Sequence, residues 1–195
     1  MTRQAFETIY EKDEWGAGSG PGSHPYFTIE YRAFLQRFLA LNDVRSVVDI
    51  GCGDWQFSRF IDFGAASYLG LDVVRSVVER NRAVYGSSRI RFDLMPDRLD
   101  DVHSGDLVII KDVLQHLPDP DVFEIMNKIV PRFKFALITN SYEKIDTARN
   151  IDLSHHGAFR CLDLKAEPYS VTGAYVFEYW AQPWERIRTL LIQSK

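Results

Sequence analysis

The residues best suited to chemistry are two glycines and a series of aspartates in the first half of the chain. Gly51 and Gly53 follow a β-branched run that ends at Ile50. Glycines after a buried strand let a ligand approach the backbone closely, and a following helix N-terminus offers free N–H groups. Asp72 lies 23 residues after Asp49, about the separation at which an acidic residue meets a ribose diol in nucleotide-binding folds.

A third acidic residue extends this pattern to three successive predicted strands. Asp93 ends the third strand, as Asp72 ends the second, and it is placed to face the edge of an adenine. A single such residue is more often a solvated loop carboxylate. Three of them at the carboxyl edge of one sheet, where ligands bind in open α/β folds, favour a nucleoside site.

The glycine spacing limits which nucleoside ligand is bound. A dinucleotide motif needs a glycine three residues after Gly53, where this chain has Gln56. The chain also has no GxxxxGK[ST] loop for phosphates. A ligand with ribose and adenine but no pyrophosphate fits better, and S-adenosylmethionine is such a molecule.

The elements that must position these residues alternate along the chain. Apolar runs predict strands at 46–50, 68–72, 89–94, 106–111 and 135–139, and helical patterns occur from about residue 26 and at 56–63, 74–85 and 119–130. Alternating strands and helices indicate βαβ units in a mainly parallel sheet. Two last strands, 175–180 and 187–193, are separated by a turn that contains Pro183 and are therefore predicted to be antiparallel to each other. The expected fold is α/β, a doubly wound sandwich.

The chain divides into an arm and one domain. Residues 1–25 are predicted to form an N-terminal arm with a helical piece around Phe6–Tyr10 and the flexible cluster Gly16–Ser23. Residues 26–195 are predicted to form a single domain. Residues 142–170 have no apolar helical pattern, and we interpret them as an insert on the substrate side.

Composition excludes several other classes of protein. The 195 residues are 46% hydrophobic and 26% charged, which is typical of a globular chain rather than a disordered one. Two cysteines fit a reducing compartment and offer no zinc spacing. No apolar stretch is long enough to span a membrane, and the polar start of the chain is unlike a signal peptide, so we expect a cytoplasmic protein. The net charge of −4 does not favour a nucleic-acid partner.

The motifs of residues 46–141 resemble those of the class I S-adenosylmethionine-dependent methyltransferases. The resemblance lies in DIGCG, LGLD, FDL and DLVIIKDVLQHLP, in that order. The segments WGAGSGPGS and FRCLDLKAEPY are similar to those of a group of small bacterial methyltransferases. The resemblance implies a Rossmann-like methyltransferase sandwich of about seven strands, mostly parallel with an antiparallel last strand, and S-adenosylmethionine as the cofactor.

The resemblance also implies cofactor-binding roles for named positions. In such enzymes the glycine loop packs on the methionine part, the second-strand acid holds the ribose and the third-strand acid contacts the adenine amino group. The backbone carbonyl of Lys111 would accept a hydrogen bond from the methionine ammonium, and Val73 would pack on the adenine. Trp55 stands where the fuller motif has a third glycine, so its ring either lies near the methionine end or packs in the core. The implied set is Asp49, Gly51, Gly53, Trp55, Asp72, Val73, Asp93 and Lys111.

Methyl transfer needs an acceptor aligned with the sulfonium methyl group, and water must be excluded. A hydroxyl acceptor benefits from a general base, whereas many amines need only be neutral. Asp112, His116 and His155 are the candidate catalytic residues, although His116 would equally suit a packing or capping role. Residues that would shape the acceptor pocket are Trp15, His156, Arg160 and Tyr169.

The acceptor is predicted by elimination to be a small molecule or a glycan-type compound, methylated at oxygen. The motif [DNS]PP[YFW] of amino-methylating DNA enzymes is absent after the fourth strand, and no Pro-Cys nucleophile is present. Thr139 precedes Asn140 where magnesium-dependent catechol-type enzymes have Asp-Asn, so no metal is expected. Three alternatives remain open: N-methylation by proximity, a nicotinamide oxidoreductase and a non-catalytic nucleoside-binding module.

Overall fold

The computed structural model describes residues 3–16 and 18–194. In these residues the α-helices are α1 (Arg3–Glu11), α2 (Ile29–Leu41), α3 (Arg75–Tyr85) and α4 (Asp119–Lys128). Within the described ranges, none of the helices has the length and apolar character needed to cross a bilayer.

The strands form one seven-stranded sheet. They are β1 (Ser46–Ile50), β2 (Ser67–Asp72), β3 (Ile90–Leu94), β4 (Gly105–Lys111), β5 (Phe133–Lys144), β6 (Ala174–Gln182) and β7 (Glu185–Gln193). Their order is β3-β2-β1-β4-β5-β7-β6. The pairs among β1 to β5 are parallel, and β7 is antiparallel to both of its neighbours. The predicted α/β fold with an antiparallel last strand is confirmed.

Alternate residues of the central strands face two separate apolar layers. Val48 and Ile50 of β1 belong to the layer that contains the buried residues of α1 and α4. Val47 belongs to the layer that contains Tyr31, Leu35 and Leu39 of α2. Because successive strand residues point to opposite faces, both faces of β1 must be covered, and its apolar sequence follows from that.

The helix predicted at 56–63 is wrong. The structure has only a short 3₁₀ turn there, Ser58–Phe60. Trp55 has a positive φ of 59°, which an α-helix does not accommodate. The buried residues Trp55, Phe57, Ile61 and Phe63 recur at intervals of two and four, so they do not form one helical stripe, and the segment packs as an irregular aromatic layer.

Two segments are more closely integrated into the sheet and core than their sequences suggest. Helix α1 buries Phe6 and Ile9 in the same layer as the central strands. Strand β5 runs on to Lys144 and so includes the start of the predicted insert. Between Ile145 and Gly173 the described chain has no helix or ladder strand, only a single bridge between Arg149 and Cys161. The boundaries of arm, domain and insert remain predictions.

Candidate cofactor and acceptor site

A cavity of about 320 Å³ opens at the carboxyl edge of the parallel strands. Its walls come from the loop after β1, the ends of β2 and β4, the N-terminal arm and the hairpin between β6 and β7. A cleft at this edge is where an open α/β sheet binds ligands.

The loop after β1 is shaped by glycines. Gly51 and Gly53 have φ values of 69° and 56°, in the left-handed region that favours glycine. The backbone N–H groups of Gly51 and Cys52 both donate to the carbonyl of Leu71. A Cβ atom on Gly53 would lie 2.4 Å from the hydroxyl of Ser19. Gly53 therefore permits both the turn and the close approach of the arm.

Asp72 lies buried at the end of β2 and lines the cavity. Its two carboxylate oxygens accept backbone N–H groups from Gly53 and Val74, each at 2.9 Å. Burial raises the pKa of the carboxyl group, and these hydrogen bonds oppose the rise. A carboxylate has about four lone-pair sites, so this fixed group can still accept the two hydroxyls of a ribose.

Asp49 lies near Asp72 in the same wall. Its carboxylate accepts a hydrogen bond from the hydroxyl of Tyr68 over 2.7 Å. Burial raises the pKa of Asp49 to about 7; the hydrogen bond from Tyr68 lowers it, the charge of Asp72 raises it and the charge of Lys111 lowers it. A cation placed against this carboxyl group would favour its ionised form.

Lys111 connects β4 to the arm through its side chain. Its buried ammonium group donates to the carbonyl of Gly22 over 3.0 Å and pairs with the carboxylate of Asp112. It also lies 5.4 Å from the ring centroid of Tyr31 and 5.1 Å from that of Phe57. The ammonium group thus has its own partners, and a ligand contact is left to the backbone carbonyl.

Asp112 has an unusual conformation and one unsatisfied oxygen. Its φ is 55°, which is strained for a residue with a Cβ atom. Within the described residues its Oδ1 is buried and has no hydrogen-bond partner. Strained backbone and unpaired buried polar atoms are frequent at functional sites.

The N-terminal arm closes one side of the cavity. The hydroxyl of Ser19 donates to Asp54 over 2.8 Å, and the backbone N–H of Asp54 donates back to it over 2.8 Å. Because that hydroxyl proton is already committed, the hydroxyl of Tyr10 is the donor in its 2.6 Å contact with Ser19. Trp15 also lines the cavity, and its role toward an acceptor stays a prediction.

His116 lines the acceptor side with its tautomer fixed by its surroundings. Its Nδ1 lies 2.9 Å from the carbonyl oxygen of Ala158, and a carbonyl can only accept, so Nδ1 carries a proton. Burial lowers the pKa of His116 below its usual value. The imidazole is therefore neutral at pH 7, and its Nε2 carries no proton.

The side-chain amide of Gln115 supports the same tautomer of His116, with the proton on Nδ1. Its Oε1 accepts the backbone N–H of Ser141 over 2.6 Å, which fixes the orientation of the amide. Its Nε2 then faces Nε2 of His116 at 3.5 Å. Since an amide nitrogen only donates, the facing imidazole nitrogen is an acceptor.

Lys144, Gln182, Glu185 and Phe159 line the far end of the cavity and were missed by the sequence analysis. Lys144 ends β5 and Glu185 begins β7, and the two are paired across the ladder. Their proximity depends on β7 lying beside β5. The sequence motifs typical of parallel sheets do not predict that β7 lies beside β5.

Two predicted cofactor residues lie away from the cavity. Trp55 packs in the aromatic core against Tyr68 and Phe92, with ring centroids 5.6 and 5.3 Å away. Asp93 points outward and pairs with Arg82. Met95, which follows the last residue of β3, lines the cavity instead.

Four predicted catalytic or acceptor residues also lie outside the cavity lining. Arg160 is buried and its guanidinium donates to Asp119 and to the carbonyl of Leu117. Tyr169 donates to the same Asp119 carboxylate. His155 is exposed. His156 contacts the carboxylate of Asp121. Arg160, Tyr169 and His156 thus hold the insert against the start of α4.

The predicted residues that the structure does bring together around the cavity form one continuous set. They are Trp15, Asp49, Gly51, Gly53, Asp72, Val73, Lys111, Asp112 and His116. Within the described ranges, no group of three or more His, Cys, Asp or Glu side chains is arranged to hold a metal ion.

Comparisons with known proteins agree with this geometry. Residues 48–129 match a family model described as a methyltransferase domain. No curated protein matches the chain in sequence. Among solved structures, magnesium protoporphyrin IX methyltransferase (ChlM) from Synechocystis PCC 6803, with bound S-adenosylhomocysteine, superposes with a TM-score of 0.66 at 13% identity, covering 99% of this chain and 98% of that one.

Two further structures show the same fold. TehB from Haemophilus influenzae gives a TM-score of 0.60 at 12% identity, covering 89% of this chain and 67% of that one. The N-terminal domain of EvdMO1 gives 0.62 at 13% identity, covering 100% and 98%. The match over residues 48–129 identifies a methyltransferase domain there. The sheet order and the glycine-loop cavity are those expected of the class I S-adenosylmethionine-dependent methyltransferase fold.

Proposed function

We propose that this methyltransferase acts on a hydroxyl group of a small-molecule or glycan-type acceptor and that His116 is the general base. The observation that carries the proposal is the neutral imidazole of His116, which lines the cavity with Nδ1–H bound to Ala158. Its unprotonated Nε2 has only a long contact of 3.5 Å with the Gln115 amide in the described structure, which an acceptor hydroxyl would replace. An amine acceptor would not need such a group.

The cofactor half of the cavity is assigned to the glycine loop and two carboxylates. Asp72 is proposed to hold the ribose hydroxyls, since its oxygens are fixed by Gly53 and Val74. Asp49 is proposed to face the ammonium group of the methionine moiety. Val73 and Met95 give the cavity an apolar wall suited to adenine. We propose Met95 for this position because Asp93 points away from the cavity.

The chemistry supplied by bound S-adenosylmethionine is an electrophilic methyl group on a sulfonium. The acceptor hydroxyl would lose its proton to Nε2 of His116 as its oxygen bonds to the methyl carbon. The methyl–sulfur bond would break in the same step, with its electron pair left on sulfur and the cofactor product leaving as a neutral thioether. The imidazolium that results is stabilised by the Ala158 carbonyl and by the charge of Asp112, both of which raise the pKa of His116. The arm excludes water from this side through Trp15.

Two solved structures of similar fold bear on the acceptor class. The EvdMO1 domain was crystallised in the presence of S-adenosylhomocysteine and D-fucose. MmcR is a mitomycin 7-O-methyltransferase. At 13% and 14% identity these proteins share the fold, and the proposed acceptor class depends on the cavity of this chain.

We propose that the protein works in the cytoplasm. Cys52 and Cys161 are both buried thiols, the state expected of cysteines in a reducing compartment.

The test is methyl transfer from isotopically labelled S-adenosylmethionine to a panel of alcohols, phenols, sugars and primary amines. In His116→Asn the amide can still donate to Ala158 but cannot take a proton. Transfer to a hydroxyl should fall by about 10²- to 10⁴-fold, while His103→Asn, a change at an exposed histidine, should leave it unchanged. Transfer confined to amines, with His116→Asn fully active, would contradict the proposal.

A further inference from the structure

The carboxylate of Glu185 has few partners for so buried a group. Its side chain is only 13% exposed, and its one charged neighbour in the described structure is Lys144, with Nζ and Oε2 3.9 Å apart. No described side chain or backbone group donates a hydrogen bond to it. A carboxylate in such surroundings is costly unless donors reach it. Because Glu185 lines the cavity, a ligand that enters the cavity can supply such donors in place of solvent.

The surroundings of this pair are aromatic. The ammonium group of Lys144 lies 4.5 Å from the ring centroid of Phe159, and the ring of His116 lies 5.8 Å from that same centroid. The ring of Trp15 also packs against that of His116, with centroids 5.0 Å apart. The base and the Lys144–Glu185 pair therefore flank one aromatic side chain, and a single ring-sized acceptor can contact both.

The charges at this end of the cavity balance. Lys144 pairs with Glu185, Lys111 pairs with Asp112, and His116 is neutral. A charged acceptor would bring an uncompensated charge into this end, which is unfavourable in a partly buried site. A hydroxyl group suits it better, since one oxygen can donate to Glu185 and accept from Lys144 at ordinary hydrogen-bond lengths of about 2.8 Å.

Resting on the proposed function, we propose that the acceptor is a neutral ring with at least two hydroxyl groups. One hydroxyl is methylated beside His116, and another is held by Glu185, Lys144 and the amide of Gln182. The ring packs against the aromatic wall to which Trp15, His116 and Phe159 contribute. A pyranoside and a catechol share this chemistry.

The experiment is saturation-transfer NMR on the full chain loaded with S-adenosylhomocysteine, whose binding is first measured by calorimetry. The probes are methyl α-D-glucopyranoside and catechol, their single-hydroxyl counterparts cyclohexanol and phenol, and the charged compounds benzoate and tyramine. We expect signal from at least one polyhydroxylated ring and weaker signal from its counterpart; the pyranoside and catechol arms distinguish the two sources.

Glu185→Gln removes the charge but keeps the size of the side chain. The substitution should weaken the binding of the polyhydroxylated probe by at least about tenfold, as expected for loss of a charge-assisted hydrogen bond. The affinity for S-adenosylhomocysteine should not change. Lys144→Met should act in the same direction. The matched control is Glu79→Gln on the exposed face of α3, which should have no effect.

Three results would overturn this inference while leaving the cofactor assignment intact. They are signal from only single-hydroxyl or charged probes, signal from no probe, and equal signal in wild type and Glu185→Gln. Failure of the wild type to bind S-adenosylhomocysteine would instead overturn the proposed function together with the inference.

Discussion

The hydroxyl of Ser19 and the backbone N–H and carboxylate of Asp54 are joined by reciprocal hydrogen bonds of 2.8 Å each. They connect the N-terminal arm to the glycine loop at the point where Gly53 has no side chain. The arm is therefore part of the cofactor cavity, and opening this contact is a natural route for cofactor exchange.

Ser19→Ala should weaken the closed arrangement of the arm. It removes a hydrogen bond to a charged group and leaves the N–H of Asp54 without its acceptor, a loss of about 1–3 kcal/mol. We expect the dissociation of S-adenosylhomocysteine to become about tenfold faster in stopped-flow displacement. Ser104→Ala, at an exposed position, is the control. An unchanged dissociation rate in Ser19→Ala would show that the arm does not limit exchange.

Gln115→Glu should convert His116 from a neutral base toward an imidazolium. The new side chain can still accept the N–H of Ser141, but it places a carboxylate oxygen where Nε2 of Gln115 now faces the ring at 3.5 Å. An adjacent opposite charge raises a histidine pKa by about 1–3 units. NMR titration of the imidazole resonances would measure this shift, with the exposed His103 as an internal reference. A wild-type His116 that titrates above 6.5, or an unchanged pKa in the variant, would contradict the assigned environment.

Cofactor binding should release a proton from Asp49. With a pKa of about 7, this carboxyl group is about half protonated at pH 7 in the free protein. The methionine ammonium would lower the pKa and drive the proton off, so release should increase toward one proton as the pH falls below 7 and vanish well above it. Calorimetry in buffers of different ionisation enthalpy measures the proton count. Asp49→Asn should abolish the proton release. If the heat of binding to the wild type at pH 6.5 is the same in all buffers, no proton is released and this prediction is contradicted.

Arg160→Met should act on stability rather than on the cofactor. Arg160 is 2% exposed and binds Asp119 and two backbone carbonyls. Removing one member of a buried ion pair costs about 3–5 kcal/mol, which urea unfolding would detect. Arg37→Met on the exposed face of α2 should change little. A strong loss of cofactor affinity with unchanged stability would instead place Arg160 in the functional site.

The sequence was most informative where one structural requirement fixes several residues together. The apolar run of β1 is covered on both faces, and the glycines after it have left-handed backbones, so Gly51, Gly53 and Asp72 could be assigned to one loop and one strand end. The end of α3 at Gly86 follows from the glycine there. The sequence also suggests Asp119 as the N-cap of α4, but Pro118 occupies that position and Asp119 is the first helical residue.

The residues at the acceptor end of the cavity could not be predicted from the sequence, because their positions depend on packing between distant segments. Arg160 and Tyr169 have the chemistry of ligand-binding residues, but both are directed to Asp119 by the fold of the insert. Lys144 and Glu185 lie 41 positions apart and meet only because β7 inserts between β5 and β6. Trp55 was ambiguous between site and core, and its positive φ directs the ring into the core.

The most direct test of the central claim is calorimetric titration of S-adenosylmethionine into the wild type, Asp72→Ala and Asp93→Ala. We expect micromolar-range binding to the wild type, about −8 kcal/mol. Asp72→Ala should bind at least about tenfold more weakly, since it loses charge-assisted hydrogen bonds, while Asp93→Ala should match the wild type because its carboxylate faces Arg82 outside the cavity. Equal affinity for wild type and a folded Asp72→Ala, or a loss confined to Asp93→Ala, would contradict the assigned cofactor site.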